Sequence, residues 1–346
     1  MKRTIKLAIL VGACMALAMA LLACGTSEPV SRSAAESFAN VNSAAEKTMT
    51  ATNVYGETVS TEPEGVKYLL VIGDDAWENY TPGHADMNCL LRIDFDNHQI
   101  TEITIPRDTK YTMSDGTVIK VMHIMPTRGV EEMVKAESDV YGHKIDFYAR
   151  VGFDDLQALV DGFGGLSVDL PYPIDYHFYT NDFDDEHIDE GTQTINGWQA
   201  MVASRSRVSY GELDLYPDVV RQYVCRMMLN SLMQVAYADG SKTGDLLKSL
   251  QGHVESNLPV DAQVAWAEKL GEAGTINITQ VTGPFYGGDD EELGDWAIPF
   301  DANGWANLNN AVENSGDLSA VLETYEGADR YPEGFSFPII STITVG

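Results

Sequence analysis

Three acidic residues and one arginine–aspartate step sit where strand-like segments meet loops. Asp74 and Asp75 follow the apolar run 66–73, and Asp86 lies just ahead of the next such segment. Ligands gather at the carboxyl ends of strands in open α/β sheets. Carboxylates that meet across a strand–loop–strand connection can hold one hard divalent cation. Mg2+ (or Mn2+) suits such a place, because it takes one or two carboxylates, waters and phosphate oxygens. In a chain with 52 acids, solvated loop carboxylates are the plain alternative. Arg107 follows Pro106 directly after the strand-like segment that ends at Ile105. Its planar fork matches a phosphate bidentately. A bare Arg107–Asp108 surface pair would contribute little. Arg205, Arg207 and Arg221 fall within 17 positions of a chain that has only 22 basic residues, and Gln222 follows them. Arg221 falls in the first turns of a helix expected to begin at Pro217, and an arginine beside a helix N-terminus suits an anion. The alternatives are that these arginines neutralise the acidic stretch at 182–185 or are simply solvated.

Other chemistries find little support. There is no Gly-x-Ser-x-Gly elbow, and the seven histidines show no zinc-ligand spacing. His84, His98 and His123 read as surface or packing residues. Cys89 and Cys225 read as buried thiols, with a disulfide between them left open by an oxidising compartment.

The elements that must position these residues follow from hydrophobic pattern. The run 66–73 reads as a buried strand, and 87–95 with 99–105 as a hairpin around Asp96-Asn97-His98. Helices are expected at 126–140, 153–163, 196–204, 217–238, 246–256 and 261–272. Further strands are expected at 145–151, 166–170 and 276–281. The acidic segment 171–194 reads as a surface loop or flap, and the tail from Asp289 as irregular. Interleaved strands and helices predict an α/β (mixed α+β) fold with one central mixed sheet flanked by helices. The chain has 346 residues, 44% of them hydrophobic, which suffices for a sizeable core.

The first residues read as an export signal. Lys2, Arg3 and Lys6 precede an apolar stretch at 5–22, and Leu21-Leu22-Ala23-Cys24 follows. This ending resembles a bacterial lipobox, in which Cys24 is lipidated and becomes the new N-terminus. Without residues 1–23 the net charge moves from −30 to −33, because three positive charges are lost. So acidic a chain has no general grip on nucleic acid or anionic lipid, which needs a basic face. The expected organisation is a signal at 1–23, a flexible tether at 24–64, a catalytic domain at 65–285 and a C-terminal extension at 286–346 of unassigned role. The protein is expected at the outer face of the cytoplasmic membrane, held by its lipid.

Taken in order, LLVIGDD (69–75), HADMNCLLRID (84–94), ITIPRD (103–108), DGFGGLSVDLP (161–171), INGWQAMVASRSR (195–207) and VVRQ (219–222) resemble the LytR-CpsA-Psr family of cell-wall phosphotransferases. VESNLPVDAQVAWAEKL (254–270) is a looser match. The resemblance implies transfer of a glycopolymer from a polyprenyl-diphosphate carrier to peptidoglycan or to a protein acceptor. It implies Asp75 and Asp86 as metal-linked acids and Arg107 as a pyrophosphate ligand. It adds Arg205, Arg207, Arg221 and Gln222 around the same phosphates, and an apolar pocket for the lipid tail. Asp75, Asp86 and Arg107 are the expected catalytic set. Three positions depart from the family pattern, which has arginines where His84, Trp77 and Asp218 stand here. Fewer cations around a diphosphate should weaken its binding. A binding or regulatory lipoprotein on the same fold is therefore the second reading, and a lipid pyrophosphatase the third.

Overall fold

The computed structural model describes residues 49–76, 83–177, 185–207, 217–238, 254–326 and 340–345. The export signal and Cys24 lie outside them.

Ordered structure begins inside the expected tether. Thr50–Thr52 (β1) and Thr58–Ser60 (β2) form an antiparallel hairpin. Asn53 closes its turn, accepting from the amides of Tyr55 and Glu57 through Oδ1. The hairpin is docked as well, since the Trp266 indole donates to the Thr61 carbonyl at 2.8 Å. Residues 49–64 thus belong to the domain.

Val66–Asp74 (β3), Ala85–Asp94 (β4) and Gln99–Thr104 (β5) form the antiparallel centre of the sheet. Successive side chains of a strand point to opposite faces. Leu69 and Val71 accordingly enter one core layer, and Tyr68, Leu70 and Ile72 the other. The β3–β4 register shifts between Gly73 and Asp74. A Cβ at Gly73 would lie 2.9 Å from the Met87 Cβ, so only glycine lets the strands approach there.

Beyond Pro106, the hairpin of Lys110–Thr112 (β6) and Val118–Lys120 (β7) leads into a 3-10 turn, Val121–His123. The single helix expected at 126–140 is two, Ile124–Arg128 (α1) and Val130–Tyr141 (α2). Gly129, at φ 93°, breaks them. Phe147–Val151 (β8) runs parallel to β3, then Phe153–Phe163 (α3) and Leu166–Leu170 (β9) follow where expected. The expected flap is partly regular. Ile174–Tyr176 (β10) pairs with Glu186–Ile188 (β11), and Gly191–Ile195 (β12) pairs with β9.

Gly197–Arg205 (α4) starts at Asn196 through a capping box with Gln199. Pro217–Ala238 (α5) is the long helix that the sequence predicts. Residues 246–253 lie outside the described set, and 254–256 are not helical. Val254–Ser256 (β13) pairs with β8 instead. The Asn257 amide supports that edge, accepting from the Tyr148 amide and donating to the Asp146 carbonyl.

After Val260–Gly271 (α6) and Ile276–Thr282 (β14), the chain stays in the fold past the expected boundary at residue 285. Gly288–Asp290 (β15) and Asp295–Ala297 (β16) form a hairpin tied to the β6–β7 hairpin by Lys110–Asp290 and Lys120–Asp295 ion pairs. Ala302–Glu313 (α7) and Leu318–Leu322 (α8) cover the second sheet face, with Trp305 and Leu308 in its core. Ile340–Val345 (β17) pairs antiparallel with β14. The described parts of the tail expected to be irregular are therefore integral to the fold.

The seven-stranded mixed sheet has the order β13-β8-β3-β4-β5-β14-β17. Residues of α3 to α6 pack on one face and residues of α1, α2, α7 and α8 on the other. This is the single central mixed sheet flanked by helices that the sequence predicts.

Candidate functional site

The carboxyl ends of β3, β5, β8 and β14 and the start of β4 share one end of the sheet. The acids and arginines singled out above collect there. Asp74 is buried and structural: its carboxylate accepts from the Ala76 amide at 2.8 Å and from Arg150 Nε at 2.6 Å. Burial raises its pKa despite Arg150. Asp75 faces His84, accepting from the His84 amide at 2.5 Å and lying 3.2 Å from its Nδ1. The His84 ring in turn meets His123 edge-on, with centroids 5.1 Å apart. Burial lowers the His123 pKa, and His84, Lys120 and Arg107 lower it further.

Asp86 pairs with Arg107 through Oδ1. Arg107 Nε reaches Asp108 at 3.4 Å, and Lys120 holds the other Asp108 oxygen at 3.1 Å. Arg207 lies 4.0 Å from Asp108 and is 41% exposed at its side chain. Burial lowers the Arg207 pKa, and repulsion from Arg107 and Arg221 adds to it. Three like charges within mutual reach are the electrostatic mark of an anion site.

Arg221 and Gln222 are in the cluster but turned inward. Arg221 Nε and Nη2 both donate to Asp218 Oδ1, at 2.9 and 2.7 Å. Its Nη1 donates to the Ser204 carbonyl and its Nη2 also to the Asp86 carbonyl. Gln222 Nε2 donates to Asp218 Oδ2 at 2.5 Å. For Asp218, burial opposes the charged form, yet Arg221, Arg107 and Arg207 outweigh it and hold the carboxyl below its usual range. Arg205 sits apart over aromatic faces, 5.0 Å from the Phe153 ring centroid and 5.8 Å from that of Tyr176.

Sequence reasoning missed His123 and Lys120 as members of the site, and marked His84 only as a replaced arginine, not as the partner of Asp75. His123 lies 39 positions beyond His84 and carries no local signal. Asp218 had a readable signal, since it stands three residues before Arg221 and four before Gln222, on one helix face.

A chemical match follows for a metal. Among the described residues, no group of three or more His, Cys, Asp or Glu could hold an ion by itself. Asp75 and Asp86 offer hard oxygen donors, the type Mg2+ takes together with water and phosphate oxygens. The donor set therefore fits an ion completed by substrate. Cys89 and Cys225 are buried free thiols, so the disulfide left open by the sequence is not formed. A cavity of about 290 Å³ lies beside α5, where Met227, Asn230, Gln280 and Ser341 contribute to its walls.

The model of the LytR_cpsA_psr family matches residues 31–308. The chain belongs to this family. Polyisoprenyl-teichoic acid–peptidoglycan teichoic acid transferase TagU of Bacillus anthracis is 28% identical to this family member over 212 residues. That match covers 60% of the chain and 64% of TagU, so the chain spans less than two thirds of that relative's length. The crystal structure of Bacillus subtilis TagV has a TM-score of 0.58 at 19% identity, covering 72% of this chain and 97% of TagV. A Streptococcus agalactiae protein of known structure has a TM-score of 0.61 at 18% identity, covering 73% of this chain and 89% of its own. Both likenesses show the fold. Among the described residues, no helix is long and apolar enough to cross a membrane.

Proposed function

We propose that this family member transfers a glycopolymer from a polyprenyl-diphosphate carrier to a hydroxyl of peptidoglycan or of a protein. The observation that carries the reading is the convergence of Arg107 and Arg207 with Asp86 and Asp108 at one end of the sheet. TagU of Bacillus anthracis, by its name, transfers teichoic acid to peptidoglycan, which supports the substrate class. Phosphoryl transfer asks mainly for positioning and charge neutralisation. Arg107 and Arg207 bind and orient the diphosphate. Asp75, oriented by His84, takes the proton of the attacking hydroxyl. A bond forms from that oxygen to the sugar-side phosphorus, and polyprenyl phosphate leaves. Mg2+ held by Asp75 and Asp86 would add neutralisation of the phosphate charge. An apolar pocket for the lipid tail is part of the same proposal. Export to the outer membrane face and lipidation at Cys24 complete it.

Asp218 favours a second reading, a lipoprotein that binds polyprenyl phosphate or wall glycan without efficient transfer. One experiment separates the two. A short-chain polyprenyl diphosphate sugar is bound with and without Mg2+, by wild type and Arg107→Ala, and a muropeptide acceptor is then added. Arg107-dependent binding with released polyprenyl phosphate and a linked product supports the transferase. Arg107-dependent binding without product supports the second reading, and no binding removes both.

A further inference from the structure

Asp218 stands among the arginines of the cluster, under the charges of Arg221, Arg107 and Arg207. It lies in the first turn of α5, and its two carboxylate oxygens are shared between Arg221 and Gln222. Every nitrogen of the Arg221 guanidinium already donates to Asp218, the Ser204 carbonyl or the Asp86 carbonyl. Only 2% of the Arg221 side chain is exposed. The fork that suits a phosphate is thus filled by a carboxylate of the chain itself.

The charges around it cancel. Arg107, Arg207, Arg221 and Lys120 face Asp86, Asp108, Asp218 and, through Lys120, Asp295. No positive charge is left over, whereas a diphosphate brings two or more negative ones. Two exits remain for that excess: a divalent cation entering with the ligand, or removal of a carboxylate.

We propose that Asp218 is a built-in counter-ion that occupies Arg221 in place of a phosphate, leaves Arg107 and Arg207 to meet the ligand, and makes diphosphate binding depend on an accompanying divalent cation. The inference rests on the phosphate reading of the site and specifies the charge state in which the substrate is accepted. A merely structural Asp218, serving the helix dipole, would show no gain of affinity when its charge is removed.

The test is calorimetric titration of the full chain with inorganic pyrophosphate, in EDTA and in Mg2+. Asp218→Asn keeps an acceptor for Arg221. The Gln222 amide can turn so that its buried, unpartnered Oε1 accepts from the new amide. In EDTA, Asp218→Asn is expected to bind pyrophosphate about tenfold tighter than wild type, a modest share of one removed charge at short range. Asp218→Glu should bind as wild type does, and adding Arg107→Ala should abolish the gain. Mg2+ should tighten binding to wild type more than to Asp218→Asn. Equal or weaker binding by a folded Asp218→Asn overturns the proposal. If that variant does not fold, wild-type binding that Mg2+ leaves unchanged overturns it. Lack of saturable binding by any chain in either condition removes the phosphate reading itself.

Discussion

Replacing Glu102 by glutamine should make the protein more stable, by a margin that grows as pH rises above about 4.5. Glu102 lies on β5 in the middle of the sheet and is 1% exposed. Burial pushes its pKa from 4.5 up to about 7, against the Gln280 hydrogen bond and the charge of Arg226. The folded state therefore keeps a proton that the unfolded chain releases above pH 4.5. Stability falls as pH rises wherever the folded state binds more protons. Between pH 4.5 and about 7 the loss accumulates at about 1.4 kcal/mol per pH unit, reaching about 3 kcal/mol at pH 8. Glutamine removes this titration and can still accept from Gln280 Nε2, which bonds Glu102 at 2.5 Å. Urea unfolding of wild type and Glu102→Gln across pH 5 to 8 measures the difference. The variant should lead by about 3 kcal/mol at pH 8 and by less than about 1 kcal/mol at pH 5. A lead independent of pH would refute the reasoning. A less stable variant at pH 8 would mean that Glu102 is ionised against Arg226, whose Nε and Nη2 have no hydrogen-bond partner among the described residues.

Lys120 is 7% exposed at its side chain and bridges Asp108 at 3.1 Å and Asp295 at 2.7 Å. Lys120→Met should cost about 1–2 kcal/mol in chemical unfolding, because it removes two charged hydrogen bonds while Arg107 still reaches Asp108. Trp266→Phe removes the bond to the Thr61 carbonyl. It should cost about 1–2 kcal/mol and speed hydrogen exchange at the β1–β2 amides before those of the central strands. Cys24→Ser should abolish lipid labelling and leave residues 1–23 on the chain by intact mass, whereas a variant that still labels would count against lipidation at Cys24.

The centre of the fold was legible because its signals are local. The run 66–73 is almost wholly apolar, as a strand buried on both faces must be. Helix α5 carries an apolar stripe that includes Val220, Val224, Met228 and Leu232, all of them buried. What escaped is held by distant partners. Hairpin β1–β2 is polar and short, and its place depends on Trp266, 205 residues beyond Thr61. The C-terminal elements depend on Lys110, Lys120 and the second sheet face in the same way. Gly129 was readable as a breaker, but the apolar pattern runs through it on both sides. At the site, strand ends and residue types marked Asp75, Asp86, Arg107 and Arg207. They did not reveal that Asp218 claims Arg221 and Gln222, because residue type cannot say which anion fills a guanidinium fork.

The sheet order also sets a timetable for assembly. Its centre, β3 to β5, comes from residues 66–104, while the neighbour on the outer side of β5 is β14 at Ile276–Thr282. That strand is in turn capped by β17, built from Ile340–Val345. One flank of the growing sheet therefore stays unpaired until nearly the whole chain has emerged. Such an edge is a template for pairing with another chain, and distant strand pairing is slow. A chain cut short before Ile340 would keep the residues of its site and lose the cover of β14. It should meet its end as aggregate before it meets a ligand.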